Sequence, residues 1–429
     1  MNIALKARKK KRRTQLSALT AVVMLFFFAA FLLLFLKDLS LQTLLMAVLT
    51  PLCIHLVVKL LPRLFPMDQM LLTLISFLCA LGVLLQYRYS ATRGMTQVFN
   101  CGVGLLSMIG CALLVRHIKN WKYLIFPIIL GSCGLLALPF VFRAANANKG
   151  ATAWVGVGSM TMQPSELVKI AILFVLSYYL SRRKVVSAIL FTGLMLAFLV
   201  LQRDLGTAAI YGGTALVMLY AATSSPLLIG SILGAGVGGV AIMYMLFKNS
   251  YFRTVQNRIN NWLDPFSTYD QLGGGYQIVQ ALIAHANGGF WGTGLGLGNA
   301  NVIPEFRTDF IFSALVNEFG MLFAVLVLCI YAFIALRGVD IALRSSSAFH
   351  SLLALGCAAI LAVQTFIIIG GIMKFIPMTG VTMPFLSYGG TSLVSVMGIM
   401  GVLQGVASRN ERSLREDEKL ADMGEEAGI

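Results

Sequence analysis

The stretch Pro304-Glu305-Phe306-Arg307-Thr308-Asp309-Phe310 closes a long polar loop and opens an apolar run. Asp309 therefore stands at a membrane boundary, where an acid costs free energy unless it is paired or used. A carboxylate so placed can take a proton from a hydroxyl held within hydrogen-bond reach. The chain has 17 acidic residues, and seven lie beyond Ser408. Of the rest, Glu166 opens one apolar run and Asp204 closes another, while Asp264, Asp270 and Glu305 share a loop with Asp309. Arg203, Arg253, Arg258, Arg307 and Lys374 fall at the same rim. Acids and bases gathered on one rim suit chemistry on a charged amphiphile, although any interface also collects snorkelling charges.

Lys169 lies one helical turn after Glu166, on the same face; it reads either as an intramembrane ion pair or as a lysine facing a polar cavity. Glu318 is nine residues beyond Asp309. On a straight helix that is about 13.5 Å deeper and half a turn round, so pairing within the bundle is expected for it. The histidines are scattered with no ligand spacing. The seven cysteines fall in apolar runs with no CxxC, as small packing residues do. The glycines at 273–275 and 288–298 match no Walker or dinucleotide fingerprint. They are expected to allow tight turns and close packing on the membrane.

These residues must be carried by helices in lipid. The chain has 429 residues, 58% hydrophobic and 12% charged, with mean hydropathy +0.84; a soluble domain carries about 25% charge. Apolar runs of membrane-crossing length recur. They predict an all-α polytopic protein with about twelve spans near 16–36, 40–61, 69–86, 96–115, 122–141, 166–181, 185–201, 205–222, 226–248, 309–336, 351–373 and 388–407. The net charge of +16 does not point to nucleic acid. The cluster Lys6 to Arg13 precedes the first span and reads as an orientation signal and an anchor on anionic lipid. With residues 1–15 cytoplasmic, Arg116 to Lys122 and Arg182-Arg183-Lys184 fall inside, as the positive-inside rule requires. The segment 409–429 is then a charged cytoplasmic tail, expected to be disordered. Two outer loops are long, 142–165 and 249–308. The larger holds Trp262, Tyr276 and Trp291 and should pack on the membrane surface; 276–286 has helical spacing within it. A third outer segment, Ile376 to Gly390, is rich in proline and glycine, and such backbone persists near lipid only under cover of protein or water.

Four ordered blocks resemble the SEDS family (shape, elongation, division and sporulation; the RodA, FtsW and SpoVE group). They are Met162-Gln-Pro-Ser-Glu-Leu-Val-Lys169, Gln202-Arg-Asp-Leu-Gly-Thr207, Gly275-Tyr-Gln277 with the run from Gly288 to Phe312, and Pro377 to Gly390 ending in Pro384-Phe-Leu-Ser-Tyr-Gly-Gly. The resemblance covers about 69–408 and implies a core of ten spans, with 16–61 as two additional N-terminal helices. Ala153 stands where the family usually has arginine, Arg203 where it has proline, Arg307 where histidine is frequent, and Asn317 in place of the first of two glutamates.

The resemblance implies peptidoglycan glycosyltransfer on the extracytoplasmic face of the bacterial cytoplasmic membrane. Lipid II would be polymerised into β-1,4 glycan with inversion, the growing strand being the donor. Asp309 matches the family's catalytic aspartate. Glu166, Lys169 and Asp204, with Gln163, Gln277, Glu305 and Ser387, would shape the polar cavity, and Glu318 would act behind it. The leaving pyrophosphate needs positive charge. Arg258, Arg307, Arg203 and Lys374 are candidates, or a divalent cation, Mg or Mn, held by acids. No nucleotide is required. The implied partner is a class B penicillin-binding protein, since the chain lacks the complete SxxK–SxN–KTG set of a transpeptidase. Two other classes fit the same residues: a lipid-linked precursor transporter or flippase, and a non-catalytic scaffold of the cell-wall synthesis complex.

Overall fold

A computed structural model of the chain describes residues 2–118, 120–142, 153–157, 160–246, 253–269 and 274–426. Asp270, Gly273 and half of the 142–165 loop lie outside the described residues. The helices in chain order are α1 (Asn2–Asp38), α2 (Leu41–Lys59), α3 (Leu61–Leu64), α4 (Gln69–Tyr89), α5 (Ala91–His117), α6 (Lys122–Val141), α7 (Pro164–Ser181), α8 (Val185–Leu201), α9 (Leu205–Thr223) and α10 (Pro226–Leu246). After these come α11 (Arg253–Leu263), α12 (Gly274–Gly288), α13 (Ile311–Leu343), α14 (Ala348–Ile372) and α15 (Gly390–Glu426). A short antiparallel hairpin, β1 (Val155–Val157) with β2 (Met160–Met162), leads into α7 and pairs Val155 with Met162.

Among the described residues, ten helices are long and apolar enough to cross a membrane. The expected spans at 185–201 and 226–248 are present as helices, but their described apolar parts, Val185–Leu201 and Pro226–Gly239, are shorter than the other ten. The tail departs from expectation. Residues 409–426 continue α15 rather than forming a coil. They extend a helix already nucleated in the bundle, and glutamate, lysine, leucine and arginine propagate it at little cost.

α4 is the innermost span. Asp68 caps it by accepting from the N–H groups of Met70 and Leu71, and the same carboxylate receives Arg337 Nε at 2.9 Å from α13. α15 lies along α5, so close that a Cβ on Gly401 would come 2.2 Å from Met108 O; small residues permit such approach between helices in lipid.

α13 is broken. Gly320 has φ 81° and ψ 169°, and the glycine-rich segment after α12 fills the gap. Asn317 O and Glu318 O accept from the N–H groups of Thr293 (2.9 Å) and Gly294 (3.0 Å); Met321 and Leu322 donate to Gly289 O (2.9 Å) and Phe290 O (3.3 Å). This loop therefore does not simply rest on the membrane surface. A helix interrupted in lipid leaves backbone groups without water, and neighbouring protein must satisfy them. The fit requires glycine: a Cβ on Gly292 would lie 2.2 Å from Glu318 O, and one on Gly320 2.3 Å from Phe290 O.

Candidate active site

Asp309 is delivered by a tight turn. Glu305 adopts φ 57°, and its carbonyl accepts from the N–H groups of Thr308 and Asp309 (both 3.1 Å) and Phe310 (3.4 Å). Phe306, Phe310 and Phe312 are buried around this turn and pin it to the bundle. Two residues later α13 begins.

The Ile376–Gly389 segment holds the turn from the other side. Ser387 Oγ donates to Thr308 O and accepts from Met383 N at 2.7 Å, and Tyr388 N donates to Arg307 O at 2.8 Å. Gln86 Nε2 of α4 reaches the same Arg307 carbonyl at 3.0 Å, and Gln97 of α5 donates to Ser387 O at 3.2 Å. The irregular segment is thus covered by protein, as its composition requires.

Gly380, in the middle of that segment, faces the acid. Its φ of +71° is the left-handed region that glycine enters freely. A Cβ built on it would lie 3.4 Å from Asp309 Oδ2 and 3.9 Å from Arg258 Nη2. A carboxylate and a guanidinium therefore line one small volume. Arg258 comes from α11, where Arg258 and Trp262 are one turn apart on a single face. Both donate to the segment: Arg258 Nη1 to Thr379 O and Trp262 Nε1 to Lys374 O, each at 2.9 Å. Burial pushes the Arg258 pKa down from its ordinary value, while the negative charges of Asp309 and Asp204 oppose the shift.

Asp204 joins from α9. Its Oδ1 caps that helix through Thr207 N at 3.0 Å, and its Oδ2 accepts from Gln163 Nε2 at 2.9 Å. Gly206, beside it, packs so tightly on the segment that a Cβ would meet Val381 Cγ1 at 2.5 Å. Arg203 precedes it at φ 60°, a conformation closed to proline, so the local backbone accommodates the departure from the usual family residue.

Glu166 and Lys169 form a buried pair in the first turns of α7, with 4% and 1% of their surface exposed. Lys169 Nζ donates to both Glu166 oxygens at 2.9 Å and to Gln364 Oε1 at 3.1 Å. Gln364 passes the connection on, donating from Nε2 to Thr382 O at 2.8 Å. The pair supports the segment rather than touching Asp309 itself.

The other predicted residues separate. Arg307 turns toward α4, with Nη2 3.3 Å from Tyr89 O and its guanidinium 4.8 Å from the Phe306 ring centroid. Burial and then Arg93 lower its pKa. Lys374 lies two residues beyond the end of α14, at φ 62°. Gln277 lies in the first turn of α12. Glu318 is 1% exposed and meets Arg88 Nε at 3.1 Å, while its Oε2 accepts from Gly296 N at 3.1 Å. Asn317 uses both ends of its amide, Nδ2 to Ala284 O and Oδ1 from Asn299 N, each at 2.9 Å. A glutamate could not donate to Ala284 O, so this departure is matched to its loop.

Sequence reasoning missed Gly380, Thr379, Gln364, Gln86 and Arg88. Gln86 and Gln364 carried a signal, as single amides inside apolar runs. Among the described residues no three of His, Cys, Asp and Glu converge to hold a metal ion. Mg2+ commonly uses only one or two carboxylates plus substrate phosphates, and Asp309 could serve as such a ligand.

A family model described as a cell cycle protein (FtsW, RodA and SpoVE) matches residues 59–412. The chain is 33% identical over 365 residues to a probable peptidoglycan glycosyltransferase FtsW of Geobacter metallireducens, covering 80% of this chain and 95% of that protein. It is 31% identical over 387 residues to the peptidoglycan glycosyltransferase RodA of Mycobacterium tuberculosis, covering 81% and 79%. Among solved structures it resembles a chain from work on structural coordination of polymerization and crosslinking by a peptidoglycan synthase complex. That match has TM-score 0.63 and 24% identity, over 81% of this chain and 99% of that one.

Proposed function

This chain belongs to the FtsW, RodA and SpoVE family, and from that premise we propose that it is a multi-pass membrane peptidoglycan glycosyltransferase working at the Asp309–Arg258 site. The observation that carries the assignment to these residues is their apposition across Gly380. A proton acceptor and a fixed positive charge lie side by side at the rim of a membrane bundle.

The chemistry follows from that pair. The acceptor sugar 4-hydroxyl of lipid II attacks the anomeric carbon of the growing strand. Asp309 accepts the hydroxyl proton as the new C–O bond forms. The bond to the undecaprenyl pyrophosphate breaks, and negative charge gathers on the leaving oxygen. Arg258, already oriented by Thr379 O, stabilises that charge without reorganising. Attack opposite the leaving group turns an α-linkage into a β-1,4 bond. Asp204, Gln163, Glu166 and Lys169 keep the Ile376–Gly389 segment in register. Should a divalent cation bind, Asp309 would hold it against the pyrophosphate, where it would neutralise leaving-group charge.

The site faces the extracytoplasmic side, with both termini cytoplasmic; Lys6 to Arg13 and Arg182 to Lys184 support this orientation. A class B penicillin-binding protein would supply crosslinking, in line with the synthase complex that the fold resembles.

The test is polymerisation of labelled lipid II by purified protein with its transpeptidase partner, read as chain length on a gel. Glycan from wild type and none from Asp309→Asn is expected. Equal polymer from both would remove Asp309 from the mechanism. No polymer from either would favour a transporter or scaffold role.

A further inference from the structure

The hairpin α1–α2 precedes nearly all of the family match, which begins at residue 59, yet it is built into the bundle against α4, α13 and the loop after α12. Phe26 of α1 stacks on Phe323 of α13 at 5.6 Å and 17°, and Phe31 meets Tyr87 of α4 at 5.8 Å. Thr43 of α2 shares a hydrogen bond of 3.0 Å with the Tyr87 hydroxyl. The contact that matters is polar. Lys37, in the last turn of α1, donates from Nζ to Gly296 O. Arg88 Nη2 donates to the same oxygen at 2.8 Å and to Gly298 O at 3.0 Å. On its other side, Gly296 N donates to Glu318 Oε2. One residue is thus gripped on both of its peptide groups, by two cationic donors at its carbonyl and a carboxylate at its N–H, and charge-assisted bonds are about twice as strong as neutral ones. Leu34 and Lys37 also cover Gly296: a Cβ there would lie 3.5 Å from Leu34 Cδ2 and 3.6 Å from Lys37 Cδ.

The gripped residue belongs to the loop that fills the break in α13, and the same loop runs on to the turn that carries Asp309. Asn299 N is fixed by Asn317, Ala300 is fully buried and Ile303 is 2% exposed. Glu305 and Asp309 follow directly. A shift of Gly296 would therefore be transmitted along a stretch anchored in the core at Ala300, Ile303 and Phe306.

We propose that the α1–α2 hairpin is a positioning element of the glycosyltransferase: through Lys37 it locks the Gly294–Gly298 loop in the register that presents Asp309. The role in turnover rests on the proposed function; the lock itself does not. Lys37 is a positioning residue, since it touches the loop and not the reacting groups.

The experiment compares full-length wild type, Lys37→Met and Lys37→Arg in nanodiscs, with the transpeptidase partner present for activity. Methionine keeps the stem and removes the donor; arginine keeps the charge. In Lys37→Met, kcat for lipid II polymerisation should fall about tenfold with KM within about twofold, because misplacement by a fraction of an ångström affects the reacting geometry more than binding. Lys37→Arg should recover most of it. Hydrogen exchange of the 294–299 amides should rise about tenfold in Lys37→Met and not in Lys37→Arg. Unchanged kcat in Lys37→Met overturns the positioning role even if exchange rises, while wild-type polymerisation leaves the assigned activity intact. If wild type makes no polymer, the assigned activity fails instead. Exchange then decides alone: acceleration in Lys37→Met supports the lock, and its absence overturns it.

Discussion

Two carboxylates, nine residues apart at the start of α13, are used in opposite ways. Glu318 is enclosed: one oxygen meets Arg88 and the other a loop N–H. Asp309 sits on a turn at the rim, opposite a glycine, with Arg258 beside it. The first is an acid whose bonding capacity has been spent on backbone order. The second has a flank kept open by the missing side chain of Gly380. On the proposed assignment, the difference teaches that an acid in a membrane bundle becomes chemical when its neighbours leave room for a substrate, and structural when they fill that room.

The sharpest way to break the contrast is to neutralise each acid. Asp309→Asn should lower polymerisation by about 10²- to 10⁴-fold, the range of a positioned general base, while the melting temperature stays near wild type. Glu318→Gln should act first on stability. It leaves Arg88 without its counter-charge in a site where Glu318 is buried, a change that costs about 3–5 kcal/mol. The readout is thermal stability in detergent, and a wild-type Tm would show that Arg88 needs no partner.

A milder probe uses His285, whose ring bonds Ser313 Oγ at 3.0 Å in the first turn of α13. Burial depresses its pKa from 6.5 to about 4. Between those values the unfolded chain binds more protons than the folded one. Its contribution is therefore fully present above pH 6.5 and is lost as pH falls toward 4, at up to about 1.4 kcal/mol per pH unit. His285→Gln should flatten the fall in Tm across that window; an unchanged slope would assign acid lability to other groups. The smallest effect is expected from Gly380→Ala. Left-handed backbone costs alanine about 1–2 kcal/mol, and the added methyl would occupy the space between Asp309 and Arg258. Polymerisation should drop about tenfold, with binding of lipid II reduced as well. Full activity would mean that substrate does not use that space.

What the sequence made legible divides along the same line. The spans could be read because hydropathy is a local property, and Asp309 stood out because it marks where a polar loop becomes an apolar helix. The Glu166–Lys169 pair was visible as two residues one turn apart. The partners of Glu318 were not, since Arg88 and Gly296 are remote in the chain and nothing local announces them. Gly320 looked like any glycine in a membrane helix until the loop was seen to occupy its break. The 409–426 extension was misjudged because its charge suggests disorder, whereas helix propagation from α15 decides its conformation.

The loop bridging the break in α13 has one further consequence. It acts as a surrogate helical turn, accepting and donating in place of the missing backbone of the span. A turn cannot gain or lose a residue without shifting every partner. The Gly289–Gly294 stretch, half of it glycine, should therefore tolerate neither insertion nor deletion, and homologous chains that share the break are expected to hold its length constant while its surface-facing residues drift.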